Sequence, residues 1–323
     1  MTGSTVAPIS WCRTWVWPGS RIVRALFESR RSVTPPPTIA EIRKRVTVWP
    51  TVAITAELAP AARLSIYSPV GADACAVVLW VHGGGFIANS AAGVADFAAM
   101  IADQGYVVAC LDYTLAPGAR YPVPIIQGNA ALAYIASHIA SYGGDPTRIF
   151  LGGDSAGAQI ASQLAAMQTN PTLARRVSIH PALRNGQLLG VVLYCGFYDM
   201  CTVKSSGFPA LRTCLWAYTG HHDWLRAPFI DELSTAQHLT HNFPPAFITV
   251  GDDDPFEGQS KEFAEALAAH GVRADTLFWT GSGAGLGHEY QFDYRLPQAQ
   301  AALRPTLKYL ESNASPPCQS TGA

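Results

Sequence analysis

One serine lies in a setting that would make it a nucleophile. Ser155 belongs to the pattern Gly153-x-Ser155-x-Gly157, which follows the apolar run 148–151 and precedes the alanine-rich run 156–167. These runs predict a strand and then a helix. A serine on so sharp a turn adopts strained backbone angles, and its neighbours two residues away must lack side chains. Its hydroxyl would then stand at the positive end of the helix. Taken alone, the pattern also fits an ordinary Gly-Ser turn.

A serine hydroxyl reacts only when a base takes its proton, and that base must be oriented by a carboxylate. Two late strands, predicted at 246–250 and 274–279, are each followed by a suitable group. The first loop reads Gly251-Asp252-Asp253-Asp254-Pro255, and the second contains His288. Of the nine histidines, His288 alone lies in the loop that follows a late strand. Nucleophile, acid and base therefore occur in the order Ser, Asp, His, although the residues alone leave the choice among three aspartates open.

Acyl transfer also needs hydrogen-bond donors for the oxygen that becomes negative. The run His82-Gly83-Gly84-Gly85 follows the apolar strand predicted at 76–81. Glycine lets bare backbone N–H groups converge on one point. We therefore predict that Gly84, Gly85 and Ala156, the first helical residue after the serine, form the oxyanion hole.

Several other patterns favour no site. A histidine-rich group in the second half matches no metal-ligand spacing; it comprises His221, His222, His238 and His241 with Asp223. The glycine-rich segment 281–287 lacks the Lys-Ser/Thr of a phosphate loop, and we interpret it as slack that lets His288 reach its place. The seven cysteines contain no C-x-x-C and indicate neither a zinc site nor a disulfide framework. No metal and no cofactor are expected.

The composition describes a compact, apolar globular protein. Hydrophobic residues make up 49% of the 323 residues and charged residues 14%, with a net charge of -1. This balance favours no nucleic-acid partner. No run reaches the length of a membrane helix, and prolines and arginines interrupt the N-terminal region where a signal peptide would be apolar. We expect a cytoplasmic protein without stable membrane insertion.

Strands and helices alternate through most of the chain. Strands are predicted at 45–49, 63–68, 76–81, 106–111, 148–151, 188–194, 246–250 and 274–279. Helices are predicted at 38–45, 93–104, 126–142, 156–167, 257–270 and 297–312. This alternation predicts a single α/β domain whose central sheet is mostly parallel, with helices on both faces.

Three segments depart from that alternation. The stretch 200–232 is aromatic-rich and irregular, and we interpret it as an insertion. Within residues 1–45, four apolar residues fall at helical spacing with arginines on the other face: Ile22, Val23, Leu26 and Phe27. A helix packed on its own protein is favoured over a membrane-surface helix, because the apolar face is short. Residues 313–323 are expected to form a disordered tail.

From about residue 42 to residue 310, the chain resembles the hormone-sensitive-lipase-like esterases of the α/β-hydrolase superfamily. The runs His82-Gly83-Gly84-Gly85-Phe86 and Gly153-Asp154-Ser155-Ala156-Gly157 match the two signatures of that group. Asp112-Tyr113-x-Leu115-Ala116-Pro117 matches a third segment, and Asp254-Pro255-Phe256 is similar to the group's acid motif. The resemblance therefore selects Asp254 as the acid. It also implies that 1–45 and about 200–232 form a cap over the site.

Two departures from the group bear on substrate detail. Gln127-Gly128 stands where an acidic residue often follows the third segment, and Glu289 replaces the small residue usually found after the base. The resemblance implies a serine carboxylesterase that hydrolyses short-to-medium acyl esters of small molecules through an acyl-enzyme, with a homodimer as one possible assembly. An amidase or aryl-formamidase with the same triad, and a non-catalytic ligand receptor on this fold, are the alternatives.

Overall fold

A computed structural model describes residues 16–30 and 33–314 of the chain. Within them, nine strands form one sheet: β1 (Val46–Val48), β2 (Val52–Ala56), β3 (Ala59–Pro69), β4 (Cys75–Val81), β5 (Val107–Asp112), β6 (Gly144–Asp154), β7 (Leu188–Tyr194), β8 (Ala246–Val250) and β9 (Ala274–Phe278). The order across the sheet is β1-β3-β5-β4-β6-β7-β8-β9, and β2 pairs with β3. From β5 to β9 neighbouring strands are parallel, whereas β1, β2 and β5 each pair with β3 antiparallel.

The helices surround this sheet. The α-helices are α1 (Val16–Arg30), α2 (Ile39–Lys44), α3 (Ala95–Ala102), α4 (Val123–His138), α5 (Ala156–Thr169), α6 (Pro171–Val177), α7 (Leu211–Thr219), α8 (Glu257–Ala269) and α9 (Pro297–Asn313). Short 3-10 helices occupy Ala91–Val94, Ile139–Tyr142, Val203–Ser206, Trp224–Arg226, Ile230–Leu233, Thr235–His238 and Tyr290–Phe292. The sequence predicts neither β2 nor α6, and the helix predicted at 93–104 is divided between a 3-10 turn and α3.

Hydrophobic cores lie on both faces of the sheet. One contains side chains of α4 and α5, such as Leu132 and Leu164, and the other contains side chains of α3 and α9, such as Phe97 and Tyr309. Every residue of β4 is buried, as expected for a parallel strand covered on both sides. The predicted α/β architecture is confirmed.

The segments outside this alternation have structure of their own. The predicted insertion holds α7 and several 3-10 helices, and α7 packs against α1. On α1, Val23 and Phe27 pack against the core, while Ile22 and Leu26 are exposed. Arg24 does not follow the predicted polar face, because its guanidinium donates hydrogen bonds to the carbonyls of Ile87 and Ala116.

The ends of the chain are described only in part. Helix α9 continues through Asn313 and Ala314 is buried, so the expected tail begins no earlier than residue 315. The predictions for residues 1–15, 31–32 and 315–323 lie outside the described residues. Among the helices that the structure describes, none has the length and apolar character needed to cross a bilayer.

Candidate active site

The turn between β6 and α5 places Ser155 in a strained conformation, with φ 52° and ψ −119°. Its neighbours have no space for a side chain: a Cβ on Gly153 would lie 2.5 Å from the Gly157 carbonyl, and a Cβ on Gly157 would lie 2.0 Å from the Val81 oxygen. The Ser155 N–H donates to the Tyr194 carbonyl at 2.8 Å, which anchors the turn to β7. The pattern around Ser155 is therefore a packed elbow and not an ordinary turn.

Ser155, His288 and Asp254 are brought together by the ends of β6, β8 and β9. The Ser155 Oγ lies 2.8 Å from His288 Nε2, and His288 Nδ1 lies 2.9 Å from Asp254 Oδ2. The Phe256 N–H donates to Asp254 Oδ1 at 2.8 Å, which fixes the buried carboxylate. In these bonds His288 contacts Asp254 and neither Asp252 nor Asp253.

The surroundings of His288 act on its basicity in opposite directions. Burial lowers the pKa of His288, while the charge and hydrogen bond of Asp254 raise it, and the pKa lies above its usual value of 6.5. Cys195 adds a buried thiol whose Sγ lies within 4.8 Å of a carboxylate oxygen of Asp254 and of a ring nitrogen of His288. Burial raises the pKa of Cys195 to about 12, so the group is a neutral thiol at ordinary pH.

The glycine run after β4 is fixed to the elbow by Asp154. The Asp154 carboxylate accepts hydrogen bonds from the Gly83 N–H at 2.8 Å and from Trp80 Nε1 at 2.9 Å. Gly84 and Gly85 follow with φ 110° and 59° and line the cavity beside Ser155. Ala156 lies at the start of α5, buried directly behind the serine. Sequence reasoning gave no role to Asp154, although its place inside the serine motif was a signal for one.

A cavity of about 520 Å³ opens onto Ser155 and His288. Phe27 of α1 and Phe208 of the insertion line it, and their rings are 6.0 Å apart in an edge-to-face contact. A Cβ on Gly85 would lie 2.8 Å from Cys214 Sγ of α7 and 3.1 Å from Phe27. Helices α1 and α7 therefore close directly over the glycine run.

Two aromatic rings hold the His288 imidazole from its sides. The rings of Phe208 and Phe256 lie 5.0 Å and 5.3 Å from it, both edge-to-face. Such contacts limit rotation of the ring while the polar partners set its direction. Because Phe208 belongs to the insertion, the least regular part of the chain contacts the base directly.

The interpretation of segment 281–287 as slack is wrong. The Asp252 carboxylate accepts hydrogen bonds from the Leu286 N–H at 2.7 Å, the Ala284 N–H at 3.0 Å and the Ser282 hydroxyl at 2.9 Å. The segment that leads to His288 is thus bound to the loop after β8. No side-chain pattern in the sequence indicates these bonds, because two of the three donors are backbone N–H groups.

Other residues noted in the sequence have structural partners. The rings of His82 and Tyr113 stack with centroids 4.4 Å apart, so the two family segments support each other. Gln127 accepts a hydrogen bond from the Thr114 N–H and donates to the Thr114 hydroxyl and the Pro60 carbonyl, which is a structural role.

The histidine-rich group does not form a metal site within the described part of the chain, because the histidines from 221 to 241 do not come together with Asp223. The residues there that lie close enough to share an ion are Cys195, Asp254 and His288.

Comparison with known proteins places the chain in a family. A model of the alpha/beta hydrolase fold matches residues 78–288, and the chain belongs to this family, in its hormone-sensitive-lipase-like branch. Esterase LipI of Mycobacterium tuberculosis is 31% identical over 202 residues, which cover 61% of each chain. An acetyl esterase of Salmonella schwarzengrund is 27% identical over 231 residues, covering 67% of each chain. The chain spans about half to three fifths of the length of the first curated relatives that it matches.

Solved structures agree on the fold. Esterase B from Lactobacillus rhamnosis superposes with a TM-score of 0.75 at 20% identity, covering 93% of this chain and 95% of that one. An esterase from Pyrobaculum calidifontis gives a TM-score of 0.69 at 22% identity, covering 91% and 93%. At such identities the likeness establishes the fold alone.

Proposed function

We propose that this protein is a serine carboxylesterase acting on small-molecule esters. The observation that carries the proposal is the hydrogen-bonded chain from Ser155 through His288 to Asp254 at the floor of a cavity lined by Gly84 and Gly85. The names of the relatives, which include esterases and an acetyl esterase, support ester substrates.

The chemistry starts with attack on the substrate. Ser155 Oγ adds to the ester carbonyl carbon while its proton passes to His288 Nε2. Asp254 keeps the Nδ1 proton in place and stabilises the imidazolium that forms. The N–H groups of Gly84, Gly85 and Ala156 donate to the oxyanion.

Collapse of this intermediate breaks the bond to the leaving alcohol, which takes the proton from His288. A water molecule then gives one proton to His288 and adds to the acyl-enzyme carbonyl. Collapse of this second intermediate breaks the bond to Ser155 Oγ, which takes that proton from His288, and the carboxylic acid leaves. The original Ser155 proton leaves with the alcohol and water supplies its replacement, so the enzyme returns to its starting state and the cycle needs no co-reactant besides water.

Replacing the nucleophile tests the proposal. Ser155→Ala is expected to lower kcat for a short p-nitrophenyl ester by at least about 10⁴-fold, as loss of a triad member does elsewhere. His288→Ala should lower it similarly. A substantial residual rate in either variant, with both proteins folded, contradicts this mechanism.

A matched substrate series defines the reaction further. p-Nitrophenyl esters from acetate upward report the acyl preference, for which we propose short to medium chains. A matched anilide with a rate near that of the ester would instead favour an amidase. Binding of an ester without turnover would favour a receptor.

The roof of the cavity belongs to the proposal as well. We propose that α1 and the insertion around α7 act as the cap that shapes the substrate site, since Phe27 and Phe208 line the cavity. A cytoplasmic location and a homodimer remain predictions from the sequence.

A further inference from the structure

The segment that carries the base has little packing before Leu286, which is buried against Tyr290 and Ala302. It reads Gly281-Ser282-Gly283-Ala284-Gly285-Leu286-Gly287 and precedes His288. A Cβ added at any of its four glycines would meet nothing within 4 Å, and residues 281–285 are exposed. Ordering such a chain carries a large cost in conformational entropy. His288 must nevertheless stay 2.8 Å from the Ser155 hydroxyl.

Hydrogen bonds accepted by the Asp252 side chain offset that entropy cost. Both oxygens of Asp252 are used: Oδ1 accepts from the Leu286 N–H, and Oδ2 accepts from the Ala284 N–H and the Ser282 hydroxyl. The bonds are spread over the centre of the segment and end two residues before His288. Hydrogen bonds to a charged acceptor are stronger than those between neutral groups.

The backbone beside Asp252 adds to the same attachment. The Asp253 N–H donates to the Leu286 carbonyl at 3.1 Å. Gly251 lies against that carbonyl so closely that a Cβ would be 2.0 Å from the Leu286 oxygen. At the start of the segment, the Thr280 hydroxyl donates to Glu257 at 2.7 Å. The final approach to His288 therefore depends on the loop after β8.

We infer that Asp252 is a positioning residue for His288, acting through the backbone of segment 282–286. The inference rests on the proposed function, in which His288 is the base. It divides the work of one loop between two carboxylates: Asp254 orients the imidazole ring, and Asp252 orients the chain that carries it.

The charge of Asp252 suits this role at ordinary pH. The Leu286 N–H and the other donors hold the pKa of Asp252 below its usual value of 3.8. The carboxylate is therefore ionised wherever His288 can act as a base. Loss of Asp252 should accordingly change the rate and not the pH at which activity falls, because the bond from Asp254 to the imidazole is kept.

Paired variants test the inference. Asp252→Ala removes the acceptors, Asp252→Asn keeps one acceptor oxygen, and Asp253→Asn is the matched control because its exposed carboxylate has no hydrogen bond among the described contacts. A displacement of about 1 Å at a reacting group costs up to about 100-fold in rate. We expect kcat for a p-nitrophenyl ester to fall roughly 10- to 100-fold in Asp252→Ala, less in Asp252→Asn and within about twofold in Asp253→Asn.

Four further measurements separate positioning from a general loss of stability. KM should stay within about threefold, the pH at which kcat/KM falls should not move, and rates measured well below the unfolding midpoint should show the same loss. Backbone hydrogen exchange at Ala284 and Leu286 should speed up in Asp252→Ala and stay unchanged in Asp253→Asn.

Unchanged kcat in Asp252→Ala overturns the inference, whether or not exchange speeds up. Unchanged exchange with a reduced kcat overturns it too, since the loss would then have another cause. Exchange needs no turnover. If the wild-type protein has no esterase activity, the proposed function is refuted. Hydrogen exchange then still shows whether Asp252 holds segment 282–286. If Asp252→Ala does not fold, the same outcomes are read in Asp252→Asn.

Discussion

Two glycine-rich segments flank the reacting groups, and they are held in opposite ways. Around Ser155, the glycines are required by contact, because side chains there would overlap backbone atoms at 2.0–2.5 Å. Before His288, the glycines of segment 281–287 face open space, and the segment is held by hydrogen bonds to Asp252. The turn that carries the nucleophile is thus fixed by packing, whereas the exposed chain that leads to the base is fixed by a polar attachment. Similar composition does not imply similar rigidity.

The largest effect is expected from a substitution in the packed turn around Ser155. Gly157→Ala places a Cβ 2.0 Å from the Val81 oxygen, with no flexible side chain to move aside. Overpacking of this kind costs about 1–3 kcal/mol or more. We expect little soluble protein, or a clearly lower unfolding midpoint with kcat/KM reduced at least about 100-fold. Gly258→Ala, at a helical glycine in open space, is the matched control and should be neutral or slightly stabilising. Wild-type behaviour of Gly157→Ala would refute the packing account.

The pH profile reports on the base that the second segment carries. Asp254 raises the pKa of His288 above 6.5, and the protonated ring cannot accept the Ser155 proton. As pH falls through that raised pKa, kcat/KM should drop about tenfold per pH unit, beginning above pH 6.5. The measurement is kcat/KM for a neutral ester across the acidic range. A profile that stays flat down to about pH 4 would argue against a histidine base.

Removing one of the three donors to Asp252 tests how the attachment of segment 281–287 is divided among its bonds. Ser282→Ala deletes the hydroxyl bond to Asp252 and leaves both backbone donors in place. Because the two backbone donors continue to hold the Asp252 carboxylate and water can replace the exposed hydroxyl, we expect kcat to fall no more than about threefold. The loss should be smaller than in Asp252→Ala. An equal or larger loss would show that Ser282, and not Asp252, governs the segment.

The smallest effect is expected within the open segment itself. Gly283 has φ 69° and free space around it, so Gly283→Ala adds backbone strain without a clash. That strain is about 1–2 kcal/mol, and we expect a midpoint lower by a few degrees with kcat/KM within about twofold. Calorimetry and ester kinetics on one preparation measure both. A loss as large as that of Gly157→Ala would remove the distinction between the two segments.

The sequence was most informative at positions where close contacts admit few residue types. The elbow around Ser155 and the positions of Gly84 and Gly85 follow from patterns in which few residues fit. The order of strands and helices followed from apolar periodicity, and several bounds agree with the structure, among them those of β7 and β8. Choosing Asp254 over its neighbours needed the family resemblance, because three adjacent aspartates look alike in sequence.

The sequence was least informative where short polar bonds set the structure. The attachment of segment 281–287 depends on backbone N–H groups, which are present at every residue and leave no pattern. Apart from α7, the regular structure of the insertion consists of 3-10 turns too short to show periodicity. Helix α6 was missed although Asn170 caps it and Pro171 begins it, a signal that could have found it. Strand β2 is five residues long and mostly not buried, so its apolar pattern is weak.

Covalent trapping with an organophosphate tests whether Ser155 is the nucleophile. Diethyl p-nitrophenyl phosphate carries a phosphorus centre that an activated serine attacks, releasing p-nitrophenolate and leaving a diethylphosphoryl serine. The account predicts one such group per chain, located by mass spectrometry on the peptide with Ser155, with activity lost in parallel and no label in Ser155→Ala. Label on a different residue as activity is lost, or full ester hydrolysis by protein labelled at Ser155, would contradict it.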